Sequence, residues 1–194
     1  MARSPANLAK SVKDRLLNIS RREGRAFDVL LVRFALERLL YRLSVSEYRE
    51  RFVLKGGMLV TAWIDDDNRV TRDADFLGYG DANPDNLVAD FRAIMQIEGD
   101  DGLVFDADAL VARAIREEME YGGVRLKTAA YLERTRIPVT IDIGFGDALA
   151  DAAQHSTTRR CSISLSRTLD PTRRRRSLPR SSRRWLRSVC SMAG

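Results

Sequence analysis

The stretch FVLKGGMLVTAWIDDDNRVTRDADFLGYG, residues 52–80, contains the pattern that decides the fold. A short apolar strand, RFVL, leads into Gly56 and Gly57, and GMLVTAWI then has the character of a buried helix. After it, TRDADFL alternates polar and apolar residues, which is typical of a strand with one buried face. Because side chains alternate along a strand, Asp73 and Asp75 share the polar face. The stretch therefore predicts a strand, a helix and a second strand that carries two carboxylates.

The flanking sequence extends this unit to an α+β fold. Residues 8–22 and the apolar-rich run AFDVLLVRFALERLLYRL predict two helices, and Pro84 suits the first turn of another. Downstream, LVF, VARAIREE, GVRLKTAAYLE and IPVTIDIGFG predict strands of an antiparallel or mixed sheet. In the last of these, Asp142 lies opposite an isoleucine-rich face and beside Gly144 and Gly146. Helices followed by strand–helix–strand and a run of strands predict an α+β domain.

Charge is divided unevenly along the 194 residues, whose net charge is +6. Residues 156–194 contain 11 arginines and a single acidic residue, Asp170, so the preceding residues are acidic overall. No apolar run approaches the length needed to span a bilayer, and the N-terminus is too charged for a secretory signal. We therefore expect a cytoplasmic protein with no membrane partner. The only histidine, His155, excludes sites that need two, and two cysteines do not indicate a disulfide framework.

Three features together favour a site for metal and phosphate. Asp73 and Asp75 are close enough on one strand face to share divalent ions, whereas an Asp-x-Asp pair alone is often only solvated surface. Asp142 is a carboxylate in an apolar strand, where burying an unpaired charge is costly. Glycines at the start of a helix let backbone N–H groups approach phosphate oxygens. We therefore predict that the three aspartates hold two Mg²⁺ ions and that Gly56 and Gly57 bind the triphosphate of an NTP.

Three cations lie near these residues in the sequence. Lys55 precedes the paired glycines, and Arg69 and Arg72 precede the Asp-x-Asp. Any of them could neutralise phosphate charge. A solvated surface position explains each of them equally well at this point.

The motifs RFVLKGGMLVTAW, RVTRDADFLG and IPVTIDIGFGD resemble, in order and spacing, those of the AbiEii/AbiGii toxin family of nucleotidyltransferases. The resemblance covers about residues 10–150 and includes the helical start. It implies a polymerase-β-like nucleotidyltransferase core with N-terminal helices, and NTP and Mg²⁺ as substrate and cofactor. It also implies the toxin of a bacterial toxin–antitoxin or abortive-infection phage-defence pair, with the cognate antitoxin encoded nearby. Some relatives modify tRNA, which implies an RNA acceptor for the transferred NMP.

The family's site residues correspond to positions already singled out. Its Gly-Gly motif matches Gly56 and Gly57, and its Asp-x-Asp matches Asp73 and Asp75. Its later strand aspartate matches Asp142. The resemblance thus implies catalytic and metal-binding roles for the three carboxylates.

Near the C-terminus the resemblance stops. Family members continue with a Glu-Lys helix and a Lys-Asp-x-x-Asp motif, and neither is in this sequence. The segment RRSLPRSSRRW, residues 175–185, can be re-read in another frame as the family-like ETVVAEKFEAM, which leads us to infer a frameshift near His155. We therefore expect an incomplete C-terminal helical part and impaired transfer. The predicted segments are an N-terminal helical segment at 1–50, a nucleotidyltransferase core at 51–155 and an out-of-frame, disordered Arg/Ser-rich tail at 156–194.

Two other classes of function stay open on the sequence alone. The chain could be a non-catalytic fold remnant or RNA-binding module whose basic tail contacts phosphates. It could also be a sugar transferase that uses the Asp-x-Asp to hold a nucleotide-sugar diphosphate. The absence of a Rossmann-like βαβ run in the sequence argues against the sugar transferase.

Overall fold

The computed structural model describes residues 5–58, 71–115 and 123–145. Its regular elements are, in chain order, α1 (Pro5–Glu23), α2 (Phe27–Val45), a 3₁₀ turn (Glu47–Glu50), β1 (Phe52–Lys55), β2 (Ala74–Gly78), α3 (Pro84–Met95), β3 (Leu103–Phe105), β4 (Val111–Ile115), β5 (Gly123–Leu132) and β6 (Thr135–Gly144). The helix predicted after β1 is described only at residues 56–58, which are helical. The predicted tail and its frameshift lie outside the described residues. No helix within them has the length and apolar character to cross a bilayer.

All six strands of the described residues belong to one mixed sheet. Their order is β1-β2-β6-β5-β3, and β4 pairs with β5 alongside β3. Strands β2 and β6 run parallel, and the other pairs are antiparallel. The parallel pair joins residues 74–77 to residues 141–144, which are far apart in the sequence. The α+β class predicted from the sequence is confirmed.

The core lies between α2 and one face of the sheet. Strand β6 turns four β-branched side chains to α2, and each is at most 1% exposed: Ile137, Val139, Ile141 and Ile143. Ala74 and Phe76 of β2 are fully buried on the same side. Removal of this apolar surface from water, at about 25 cal/mol per Å², holds the helix on the sheet. Since neighbouring residues alternate in direction, Asp75 and Asp142 are turned to the opposite face.

Helix α3 packs on strands β1 and β2 of the sheet. It begins as predicted at Pro84, and the side chain of Asn83 caps it by accepting a hydrogen bond from a backbone N–H of the first turn. Phe91 of α3 packs on Phe52 of β1 and Phe76 of β2, with ring centroids 4.9 and 6.2 Å away. These aromatic contacts hold the start of β1, which leads to the glycine turn, against the helix.

Candidate functional site

The strand register places four charged residues in one row across the polar face of the sheet. Asp75 of β2 is the direct neighbour of Asp142 in the parallel strand β6. On the outer sides, Lys55 of β1 pairs with Asp75, and Arg125 of β5 pairs with Asp142. The row therefore has two carboxylates at its centre and a cation at each end.

Asp73 completes the acidic cluster from the residue immediately before β2. Ligand oxygens of Asp73, Asp75 and Asp142 lie within 4.8 Å of one another, and all three residues are partly buried. Hard divalent cations such as Mg²⁺ bind through carboxylate oxygens, so the donor set fits such an ion. The structure thus brings together the three carboxylates that the sequence singled out, while their role stays a prediction.

Burial raises the pKa of Asp75, and the nearby charges of Asp73 and Asp142 raise it further. A backbone hydrogen bond from Gly57 and the charge of Lys55 act in the opposite direction. Like charges held together in a partly dry site favour the binding of a cation, because the cation removes their repulsion. A pKa raised by burial and by specific charged neighbours is typical of functional sites, although structural ion pairs can also produce one.

The paired glycines contact the acidic cluster directly. Gly56 has a φ of +69°, which L side chains rarely adopt, and a Cβ at this position would lie only 2.0 Å from Oδ2 of Asp75. The next residue, Gly57, donates its backbone N–H to the Asp75 carboxylate. A glycine at position 56 is therefore needed for Asp75 to reach its place. Triphosphate binding by these two glycines stays a prediction.

Of the three predicted cations, the structure brings Lys55 to the carboxylates. Its ammonium lies over Gly144 of β6, since a Cβ added to that glycine would be 3.1 Å from Nζ of Lys55. Arg72 instead forms a 3.1 Å ion pair with Asp28 of α2, in which both side chains are exposed. Arg69 lies outside the described residues.

Arg125 is a member of the site that sequence reasoning missed. Its Nε and Nη2 donate to both oxygens of Asp142, at 2.7 and 2.6 Å, and this hydrogen-bonded pair raises the pKa of Arg125. The sequence feature that could have identified Arg125 is the two-residue turn at residues 133–134. Residues at equal distances from a hairpin turn are partners, so this turn pairs Arg125 with Asp142. That turn lacks the usual Asn-Gly or Asp-Gly and has Glu133 at a φ of 55°, so its position was not evident.

The family model described as "Nucleotidyl transferase AbiEii toxin, Type IV TA system" matches residues 38–171. This range is more than half of the chain and includes the acidic cluster, the paired glycines and Arg125. No curated protein was found to be similar to the chain. The match supports the resemblance predicted from the three sequence motifs.

Proposed function

The chain belongs to the AbiEii family of nucleotidyl transferase toxins from type IV toxin–antitoxin systems, and we propose that it transfers the NMP of an NTP to an RNA acceptor. The acceptor RNA that we propose is tRNA. The observation that carries the proposal is the convergence of Asp73, Asp75 and Asp142 within 4.8 Å. We propose a cognate antitoxin, encoded nearby, as its protein partner. Its place in the cell would be the cytoplasm, where it would act in abortive infection against phage.

The three carboxylates would hold Mg²⁺ in the two-metal arrangement of nucleotidyl transfer. When bound, such ions neutralise phosphate charge and stabilise the attacking and leaving oxygens of an in-line displacement. The protein supplies a rigid site for them. Asp75 and Asp142 are fixed by the β2–β6 pairing, and both oxygens of Asp142 accept hydrogen bonds from Arg125.

The nucleotide would bind on the β1 side of the carboxylates. Lys55 provides a cation beside Asp75, and residues 56–58 form a helical start whose backbone amides favour anions. The glycines leave this surface without side chains, which allows a phosphate to approach closely. In this arrangement the triphosphate lies between Lys55 and the metal-binding oxygens, and the acceptor must come from another direction.

Metal-dependent nucleotide binding tests the site directly. Each NTP is titrated against the full chain by calorimetry, with and without Mg²⁺. We expect at least one NTP to bind only in the presence of the metal. The substitutions Asp75→Asn and Asp142→Asn should each remove this binding. Asp108→Asn, which changes an exposed aspartate on the loop before β4, should leave it unchanged. Binding that persists in both site variants would overturn the assignment of the carboxylates.

Transfer to RNA requires a separate assay with α-labelled NTP and mixed tRNA. Label that enters the RNA only with Mg²⁺ and only with intact Asp73 would support the proposed reaction. The sequence predicts impaired transfer because the family's Glu-Lys helix and Lys-Asp-x-x-Asp motif are missing from it, so nucleotide binding is the more direct test of the site. RNA binding in a chain that fails to bind Mg²⁺ and NTP together would favour the alternative, a non-catalytic RNA-binding module.

A further inference from the structure

The polar face of the sheet continues beyond Arg125 as a basic surface. In the β4–β5 pair Arg113 is the direct partner of Arg125, so the charged row extends to a fifth strand. Lys127 is two residues further along β5 and therefore lies on the same face. We call these three residues, Arg113, Arg125 and Lys127, the basic strip.

The basic strip is open to solvent and is not neutralised by its own strands. Arg113 and Lys127 are exposed, and the Arg125 side chain is 42% exposed. Strands β4 and β5 contain no acidic residue. Arg113 and Lys127 have no ion pair with an acidic side chain among the described residues, and Arg125 has one, with Asp142. Two exposed cations beside a third on one face favour a polyanionic partner.

The position of the strip distinguishes its partner from the NTP. The sheet order places β1, with the glycine turn, on one side of the carboxylates and β5 and β4 on the other. Because neighbouring strands are about 4.8 Å apart, Arg113 lies about 10 Å from the strand of Asp142. A guanidinium has five N–H donors, and Arg125 spends two of them on Asp142. The remaining donors can bind a second anion while the pair with Asp142 is kept.

We propose that the basic strip binds phosphates of the acceptor RNA and leads its reacting end to the carboxylates from the β5 side. The inference rests on the proposed transfer reaction, in which nucleotide and acceptor must meet at the acidic cluster from different sides. The contacts are to the backbone, so they set the position of a single strand and do not read its sequence. Arg125 is the inner contact, beside the reacting groups, and Arg113 and Lys127 are the outer ones.

The test compares two double variants of the full chain that remove the same charge. Arg113→Gln with Lys127→Gln neutralises the outer part of the strip. Lys10→Gln with Arg49→Gln removes one lysine and one arginine from exposed positions on α1 and the 3₁₀ turn. Fluorescence anisotropy measures binding of a labelled single-stranded RNA of about 12 nucleotides across a salt series. Calorimetry with Mg²⁺ and NTP is run on every variant.

The strip variant should bind RNA more weakly, and the slope of log affinity against log salt should become shallower by about 1.4, since each phosphate contact on a single strand contributes about 0.7. The control variant should keep the wild-type slope, and both variants should keep wild-type binding of Mg²⁺ and NTP. An unchanged slope in the strip variant, or the same loss in the control, would overturn the proposal. If the strip variant lost NTP binding as strongly as it lost RNA binding, the strip would be assigned to the nucleotide instead of the RNA. Loss of NTP binding in every protein, wild type included, would instead count against the proposed reaction.

Discussion

Two single residues affect the protein in different ways. Gly56 affects the geometry of the acidic cluster, and Glu37 affects how the stability of the fold depends on pH. At Gly56 the missing side chain leaves the space that the Asp75 carboxylate occupies, and the positive φ turns the chain from β1 into the helical residues 56–58. At Glu37 of α2, burial raises the pKa of the carboxyl group to about 7, although Arg33 and Arg38 lower it. Both residues therefore make testable contributions, the first to geometry and the second to pH dependence.

Gly56→Ala should destabilise the protein and disrupt the acidic cluster. A positive φ costs an alanine about 1–2 kcal/mol, and overlap with Asp75 adds about 1–3 kcal/mol. Gly24→Ala is the matched control, because Gly24 has a φ of +66° and nothing within 4 Å of the added Cβ. Urea unfolding should therefore show a larger loss for Gly56→Ala than for Gly24→Ala, and only the former should weaken Mn²⁺ binding. Equal losses in the two variants would show that Asp75 does not require the glycine.

Glu37→Gln should change how stability depends on pH. The raised pKa means that the unfolded chain releases this proton from about pH 4.5 upward, whereas the folded chain keeps it until about pH 7. Stability from this group is therefore present at low pH and is lost as the pH rises through that window. Between pH 4 and pH 8 the free energy of unfolding of the variant should gain on the wild type by about 3 kcal/mol. Glu50→Gln, at an exposed position, should show no such gain, and a pH-independent difference for Glu37→Gln would contradict the assignment.

A buried ion pair connects α2 to the segment that enters β3. Arg42 of α2 donates to both oxygens of Asp101, at 2.7 and 3.2 Å, and both side chains are 3% exposed. The same guanidinium also donates to the carbonyl of Ile97 at 2.8 Å. Because α2 packs on β6, this connection supports the strand that carries Asp142. Packing between helix and sheet thus contributes indirectly to the site.

Asp101→Ala should lower the free energy of unfolding by about 3–5 kcal/mol, since it leaves the Arg42 charge buried without its partner. Replacing both partners, as Arg42→Met with Asp101→Leu, should cost much less, because no unpaired charge remains. The exposed pair of Arg49 and Glu50 provides the control, and Glu50→Ala should change stability by less than about 1 kcal/mol. Chemical denaturation measures all three. A double variant as unstable as Asp101→Ala would show that the geometry of the pair matters more than its charge.

Folding of the complete sheet assembles the acidic cluster. Asp75 and Asp142 become neighbours only through the parallel β2–β6 pairing, so the unfolded chain does not hold the three carboxylates together. A cation that binds the cluster should therefore bind the folded state alone and stabilise the protein by mass action. The same reasoning applies to the charged row, which needs strands β1, β2, β6 and β5 in register.

Each tenfold increase of free Mn²⁺ above its dissociation constant should add about 1.4 kcal/mol to the free energy of unfolding. The dependence on denaturant should keep its slope, because the metal does not change the surface exposed on unfolding. The double variant Asp73→Asn with Asp75→Asn should show no dependence on Mn²⁺. Stabilisation by Mn²⁺ that survives in this variant would place the metal elsewhere in the protein.

Local patterns in the sequence were sufficient for most of the secondary structure and for the candidate carboxylates. The helical period of α2, the alternation in β2 and β6, and Pro84 at the start of α3 depend on residues within a few positions of one another. The motifs around Gly56, Asp73 and Asp142 likewise identified the family, which the family match supports. Short-range signals of this kind can be found in a single chain because the physical constraint acts within the same segment.

Only the tertiary structure decided which charged groups meet. Asp142 pairs with Arg125, Lys55 lies beside Asp75, and Arg72 is paired with Asp28 away from the cluster. The basic strip, too, became visible only when β4 was placed against β5. These contacts follow from strand register and from the packing that selects it, and they join segments whose separation in the chain carries no local signature. The sequence thus determined which residues could form the site, and the folded sheet determined their partners.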